Sequence, residues 1–128
     1  MSQNIKTIPI AEYEAVVSAV QHYVDYLIGA SQESLDKAFH KDGTMTGWSP
    51  DGSLASGSYR ALHAYFETYG PAKNLKTHTD VLGITPSTAV VRVDIEGAPD
   101  APYTDFHTLL KIDGEWKIIA KAFHAYKS

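Results

Sequence analysis

The octapeptide KIDGEWKI, residues 111–118, constrains this chain more than any other stretch. Asp113-Gly114 between two apolar runs is a preferred two-residue hairpin turn of type I′, because both positions accept positive φ and the twist suits the flanking strands. A two-residue turn also sets the register. Lys111 then faces Trp116, Leu109 faces Ile118, His107 faces Ala120, Asp105 faces Ala122 and Tyr103 faces His124. Directly opposed residues project from the same face of a sheet. One face therefore gathers Asp105, His107 and His124 with Trp116 and Ile118, while the other carries Phe106, Leu110, Ile112, Ile119 and Phe123.

Both faces are substantially apolar, unlike a sheet with one solvated side. The small residues Ala120 and Ala122 opposite His107 and Asp105 leave space where polar groups converge. That marks the Asp105 face as the wall of a helix-covered concavity, and the Phe106 face as the surface that meets a second copy in a homodimer. Lys117 and Lys121 belong to the Phe106 face, laying their stems over its rim. A turn at Pro86-Ser87 pairs the preceding strands in the same way. It places His78, Asp80, Leu82 and Ile84 beside Ala89, Val91, Val93 and Ile95, so that His78 and Asp80 enter the same concavity.

Upstream of these strands the period changes. Residues 11–29 carry Tyr13, Val16, Val17, Val20, Val24 and Leu27 at spacings of three and four, which predicts an amphipathic helix. Ser31 is placed to cap a shorter helix that buries Leu35, Ala38 and Phe39. It ends at His40-Lys41-Asp42-Gly43, with His40 in a capping role. Residues 44–48 form a short strand and 49–57 a loop rich in Gly, Ser and Pro. Ser58 caps a third helix with Tyr59, Leu62, Phe66 and Tyr69 on one side, stopped by Gly70-Pro71. Four strands follow, at 75–85, 88–96, 103–112 and 115–126. Helices first and an antiparallel meander afterwards is an α+β pattern, and 128 residues make one domain, 1–128.

The composition excludes several classes of function. Fifteen acidic residues outnumber 11 Lys and Arg, for a net charge of −4, so no basic surface is available to collect phosphates and no nucleic-acid partner is expected. The absence of cysteine removes thiolate metal sites, iron–sulfur clusters and cysteine nucleophiles. No HxH, HExxH, GxSxG or Gly-rich phosphate loop occurs, so neither a metal nor a cofactor is expected. The first ten residues lack a basic segment followed by an apolar one, and residues 15–24 are too few to span a bilayer. The expectation is a cytoplasmic protein with no membrane partner.

The segments AFHKDGTMTGW (38–48), DGSL (51–54) and YTDFHTLLKIDGEWKIIAKAFH (103–124) resemble the nuclear-transport-factor-two-like superfamily, which includes the SnoaL-like proteins and ketosteroid isomerases. Within it the chain is most similar to the lumazine-binding group. The resemblance implies a cone: a curved, mainly antiparallel sheet closed on one face by three helices, commonly dimeric through the sheet. It also implies a pocket that different members use for binding or for several reactions, so the fold alone does not specify a reaction.

Two functional readings follow. The first is a small-molecule-binding cone with a partly apolar pocket between sheet and helices, lined by Trp48, Tyr59, His63, His78, Asp80, Tyr103 and His124. The second is an isomerase, dehydratase or cyclase. In it Asp105 transfers the proton with His107 or His78 as partner, and Tyr103 or Tyr59 donates a hydrogen bond to a developing oxyanion. Two residues apart on one strand, Asp105 and His107 both line such a cavity, and an ionised Asp105 would raise the imidazole pKa while burial would lower it.

Overall fold

The computed structural model describes residues 5–127. Its elements are α1 (Ile10–Leu27), α2 (Ser34–Ala38), β1 (Phe39–Trp48), β2 (Leu54–Ser58), α3 (Ala61–Tyr69), β3 (Lys76–Ile84), β4 (Thr88–Glu96), β5 (Tyr103–Ile112) and β6 (Glu115–Ala125). The strands form one six-stranded sheet in the order β2-β1-β6-β5-β4-β3. All neighbours are antiparallel except β1 and β6. The three helices and curved sheet make the α+β cone that the sequence predicts.

The helices form as their apolar spacing requires. In α1 the buried side is Val16, Ala19, Val20, Tyr23, Val24, Tyr26 and Leu27, whereas Tyr13 and Val17 are exposed. The stripe is thus rotated toward Tyr23 and Tyr26 relative to the predicted one. Ser31 Oγ accepts the Glu33 amide at 3.2 Å just before α2, and Ser58 Oγ accepts the Arg60 amide at 3.1 Å just before α3. His40 does not end a helix. It is the second residue of β1, and its Nδ1 accepts the Asp42 amide at 3.2 Å. Part of the predicted 49–57 loop is β2, paired with Thr44–Trp48. These five residues alternate poorly because most of them are exposed, so their sequence carries little strand signal.

The predicted β5–β6 turn forms, with Asp113 at φ 51° and Gly114 at φ 82°. The expected register holds from Ile112↔Glu115 to Leu109↔Ile118 and then breaks. Thr108 pairs with Ala120, leaving Ile119 as an extra residue: a β-bulge. A one-residue slip moves every later side chain to the other face. Beyond the bulge His107 faces Lys121, Asp105 faces Phe123 and Tyr103 faces Ala125. Lys121 and Phe123, predicted on the outer face, therefore turn inward, while Ala120, Ala122 and His124 turn outward. The space inferred from Ala120 and Ala122 is not there.

A second bulge at Leu82 does the same to β3. Val81 pairs with Val91, Asp80 with Arg92 and His78 with Asp94, so His78 and Asp80 lie outside the concavity. There His78 Nδ1 and Asp80 Oδ2 are exposed and 3.3 Å apart, beside an Arg92–Asp94 ion pair at 3.1 Å. The outer apolar face keeps Phe106, Leu110, Ile112 and Ile119, joined by Val90, but loses Phe123. The core lies between α1, α2 and the inner sheet face, around Val20, Leu35, Phe39, Val91, Leu109 and Ile118. It is solid at the Asp113-Gly114 end and open at the other.

Candidate functional site

The open end holds a cavity of about 510 Å³. Tyr23 and Leu27 of α1, Leu62, Tyr65 and Tyr69 of α3, and the loop residues Ser49, Pro50 and Asp51 line one side. Met45 of β1, Ile95 of β4, Ala98 and Asp100 of the β4–β5 loop, Tyr103 of β5, and Lys121 and Phe123 of β6 line the other. The lining is largely apolar with a few polar groups at defined points, as in small-molecule sites generally.

At the floor lies a buried polar triad. Lys121 Nζ donates to Tyr23 Oη at 2.7 Å, and Tyr23 Oη donates to Asp105 Oδ2 at 3.1 Å. Lys121 Nζ is itself 3.8 Å from Asp105 Oδ2. Asp105 is completely buried and Lys121 is only 5% exposed. Such a pair is held only when its charges are matched and hydrogen-bonded, since each alone would cost several kcal/mol to desolvate. Lys121 reaches this place because the bulge at Ile119 inverts β6, and Tyr23 because it sits on the inward side of α1.

His107 stands behind the triad. Its Nε2 is 3.5 Å from Asp105 Oδ2, and its ring lies 5.2 Å from that of Tyr23, edge-on. Both His107 nitrogens, like Asp105 Oδ1 and Trp116 Nε1, lack a hydrogen-bond partner in the structure. Neither Asp105 nor His107 lines the cavity. Asp105 touches it through Tyr23 and Lys121.

Burial dominates the ionisation of this group. It pushes the Asp105 carboxyl up, but Lys121, His107 and Tyr23 together outweigh it and hold the group below its ordinary value, so Asp105 is ionised at neutral pH. Burial pushes the His107 imidazole down more strongly than Asp105 pulls it up, leaving it neutral. Burial likewise lowers the Lys121 ammonium against the pull of Asp105 and Asp100, and raises the Tyr23 hydroxyl well above its ordinary range.

The sign of the pH effect follows. Below the ordinary imidazole value of 6.5 the unfolded chain binds a proton at residue 107 more readily than the folded chain does. Stability is therefore lost as pH falls from that value toward the lower folded one, and Asp105 adds a second loss in passing below its ordinary 3.8. Denaturation in urea at about pH 7.5 and about pH 5 should show this loss in the wild type and a smaller one in His107→Leu. An imidazole that titrates above 6.5 by NMR would reverse the sign and refute the assignment.

A second polar cluster lies on the wall. Tyr65 and Tyr103 donate to the two oxygens of Asp100, each at 2.6 Å. Burial, then the bond to Asp100, raises both hydroxyls, so both remain proton donors. The other sequence-predicted ligand residues disperse. Tyr59 is core: it stacks on Phe39 at 4.7 Å and donates to Asp36 at 2.7 Å. His63 Nδ1 meets Tyr26 Oη at 3.1 Å and does not line the cavity. Trp48 pairs with His124 on the outer face, both exposed. Of the predicted ligand set only Tyr103 lines the cavity.

Tyr23, Tyr65, Asp100 and Lys121 are absent from the predicted set. Tyr23 was within reach of the sequence, three residues after Val20 and four before Leu27. Lys121 had a weaker signal: the Ile118-Ile119 doublet breaks the alternation, which is where a bulge goes. Among the described residues, no group of three His or carboxylate side chains converges to hold a metal ion. No described helix is long and apolar enough to cross a membrane.

Three helices on a curved six-stranded sheet make the α+β cone of a nuclear-transport-factor-two-like domain. The chain belongs to the family described as "Putative lumazine-binding", whose match spans residues 11–124. It is 36% identical over 122 residues to a protein from Cladobotryum sp. named Aldolase FrzH, covering 94% of this chain and 97% of that one. Among solved structures, an NTF2-like protein of unknown function from Shewanella baltica OS155 is 26% identical, with a TM-score of 0.86 over 96% of this chain and 100% of that one. Another, from Methylobacillus flagellatus KT, is 28% identical with a TM-score of 0.84, covering 93% and 95% of the two chains. A ketosteroid isomerase-like protein from Erwinia carotovora atroseptica SCRI1043 has a TM-score of 0.69 at 18% identity, over 91% and 98% of the two chains, a likeness of fold alone.

Proposed function

We propose that the cavity binds a small, partly apolar carbonyl compound and catalyses proton transfer next to the carbonyl, in an aldol-type reaction that makes or breaks a carbon–carbon bond. The observation that carries this reading is that Lys121 lines the cavity with its Nζ hydrogen-bonded through Tyr23 to an ionised Asp105. A cation there stabilises negative charge developing on a substrate oxygen, and it does so more strongly in a dry apolar cavity than in water. Asp105 is the ultimate proton acceptor, acting through Tyr23. The aldolase name of a 36%-identical relative supports the reaction class. The alternative, an isomerase, dehydratase or cyclase in which Asp105 and His107 touch the substrate directly, has less support, since neither residue lines the cavity.

The test is exchange of α-protons for deuterium in acetone, cyclohexanone and propanal, followed by NMR in D₂O. Wild-type protein should accelerate exchange of at least one. Tyr23→Phe and Lys121→Met should each lose about 10²-fold or more of that acceleration while remaining folded by circular dichroism. Wild-type protein that accelerates none, or variants that retain full activity, would remove the reading.

A further inference from the structure

We propose that Lys121 acts as a nucleophile, forming a covalent iminium with an enolisable ketone or aldehyde; this rests on the carbonyl reading above and specifies its chemistry. The geometry supplies each requirement. The amine must be exposed to substrate but not to bulk water, and Lys121 is 5% exposed while lining the cavity. The amine must also be able to lose its proton. Its hydrogen bond to Tyr23 Oη at 2.7 Å, and that of Tyr23 to Asp105 at 3.1 Å, form a continuous relay. Shifting one proton along each bond converts ammonium and carboxylate into amine and carboxylic acid, with Tyr23 neutral before and after. The burial that lowers the Lys121 ammonium favours the same shift, as it does in lysines that form Schiff bases.

The step balances. The free amine attacks the carbonyl carbon to give a carbinolamine. Its hydroxyl leaves as water, taking the proton returned by Asp105 through Tyr23. The net change is ammonium plus carbonyl going to iminium plus water. The iminium carries the positive charge that the ammonium carried, and Asp105, 3.8 Å from Nζ, faces that charge in both states. Removal of an α-proton toward Asp105 by the same relay leaves a neutral enamine, whose α-carbon attacks a second carbonyl. The proton held on Asp105 returns through Tyr23 to the new alkoxide oxygen, leaving a hydroxyl, an iminium and the carboxylate. Water then hydrolyses the product iminium and regenerates the ammonium.

The experiment is borohydride reduction of wild-type protein in the presence of cyclohexanone, with peptide mapping by mass spectrometry and the exchange assay in parallel. The exposed lysines Lys41 and Lys73 serve as internal references. The expected result is a reduced cyclohexyl adduct on Lys121 that forms faster than on either reference and vanishes after unfolding in urea. Lys121→Arg keeps the charge but forms no such adduct, and should lose about 10²-fold or more of the exchange rate. If Lys121 is modified no faster than Lys73, or Lys121→Arg keeps the wild-type exchange rate, the lysine acts as a charge alone. The covalent step is then overturned while the carbonyl-binding reading stands. Absence of both adduct and exchange in the wild type overturns both.

Discussion

Gly47→Ala is expected to cost about 3 kcal/mol or more of folding stability, at the upper end of what overpacking does. A Cβ at Gly47 would sit 2.0 Å from the Phe123 carbonyl oxygen and 2.6 Å from Phe123 Cγ. The first of these is backbone and cannot rotate away. Gly47 and Phe123 are partners in the parallel β1–β6 pair, so relief requires the two strands to separate. The same movement shifts Phe123 and Met45, which wall the cavity, and Lys121, which is partnered with Met45 in that pair. Binding of a carbonyl probe should therefore weaken together with stability. Gly83→Ala is the matched control: a Cβ there meets nothing within 4 Å and the position is exposed, so its change should stay within about 1 kcal/mol. Equal urea midpoints for the two variants would show that β1 and β6 are not packed as described.

The other large effect belongs to Asp105. Asp105→Ala removes the only carboxylate within 4.0 Å of Lys121 Nζ among the described residues, and the acceptor of the Tyr23 hydroxyl. A buried charge left without its partner destabilises by about 3–5 kcal/mol, a large part of the stability of a domain this size. Lys121 can relieve some of this by moving toward the cavity, so the lower end of that range is expected. The double variant Asp105→Leu with Lys121→Met replaces both charges by apolar groups of similar volume. It should recover most of the loss, because neither charge is then desolvated. Chemical denaturation of wild type, single and double variants closes the comparison. A loss below about 1 kcal/mol in Asp105→Ala, or a double variant less stable than the single, would mean that the triad is not an ionised buried cluster.

Both effects turn on residues that neighbour β6 beyond its bulge, and this divides what was legible in the sequence from what was not. Local chemistry wrote the elements. The positive-φ turn at Asp113-Gly114, the three- and four-residue spacing of α1 and the period-two strands needed no tertiary information, and all are present. The burial of Asp105 and His107 was likewise readable, because β5 alternates between buried and exposed from Asp105 to Leu109.

Side-chain direction past Leu82 was not readable, and past Ile119 the only trace of it was the Ile118-Ile119 doublet. Nothing in the local sequence is strained by continuing the strand straight on, and each bulge is stabilised only by what it lets the distant chain do. At Ile119 it points Lys121 at Asp105 and Tyr23, groups sixteen and ninety-eight residues away along the chain. At Leu82 it sends His78 and Asp80 out to Arg92 and Asp94, so that two ionisable groups avoid desolvation. Periodicity is a property of neighbours in sequence, whereas the cost of a buried charge depends on neighbours in space. The sequence therefore determined that a polar cluster would sit under the helices of this cone. Only the tertiary structure decided that the cluster is Tyr23, Asp105 and Lys121, because matching a buried carboxylate with an ammonium outweighs the regularity of a strand.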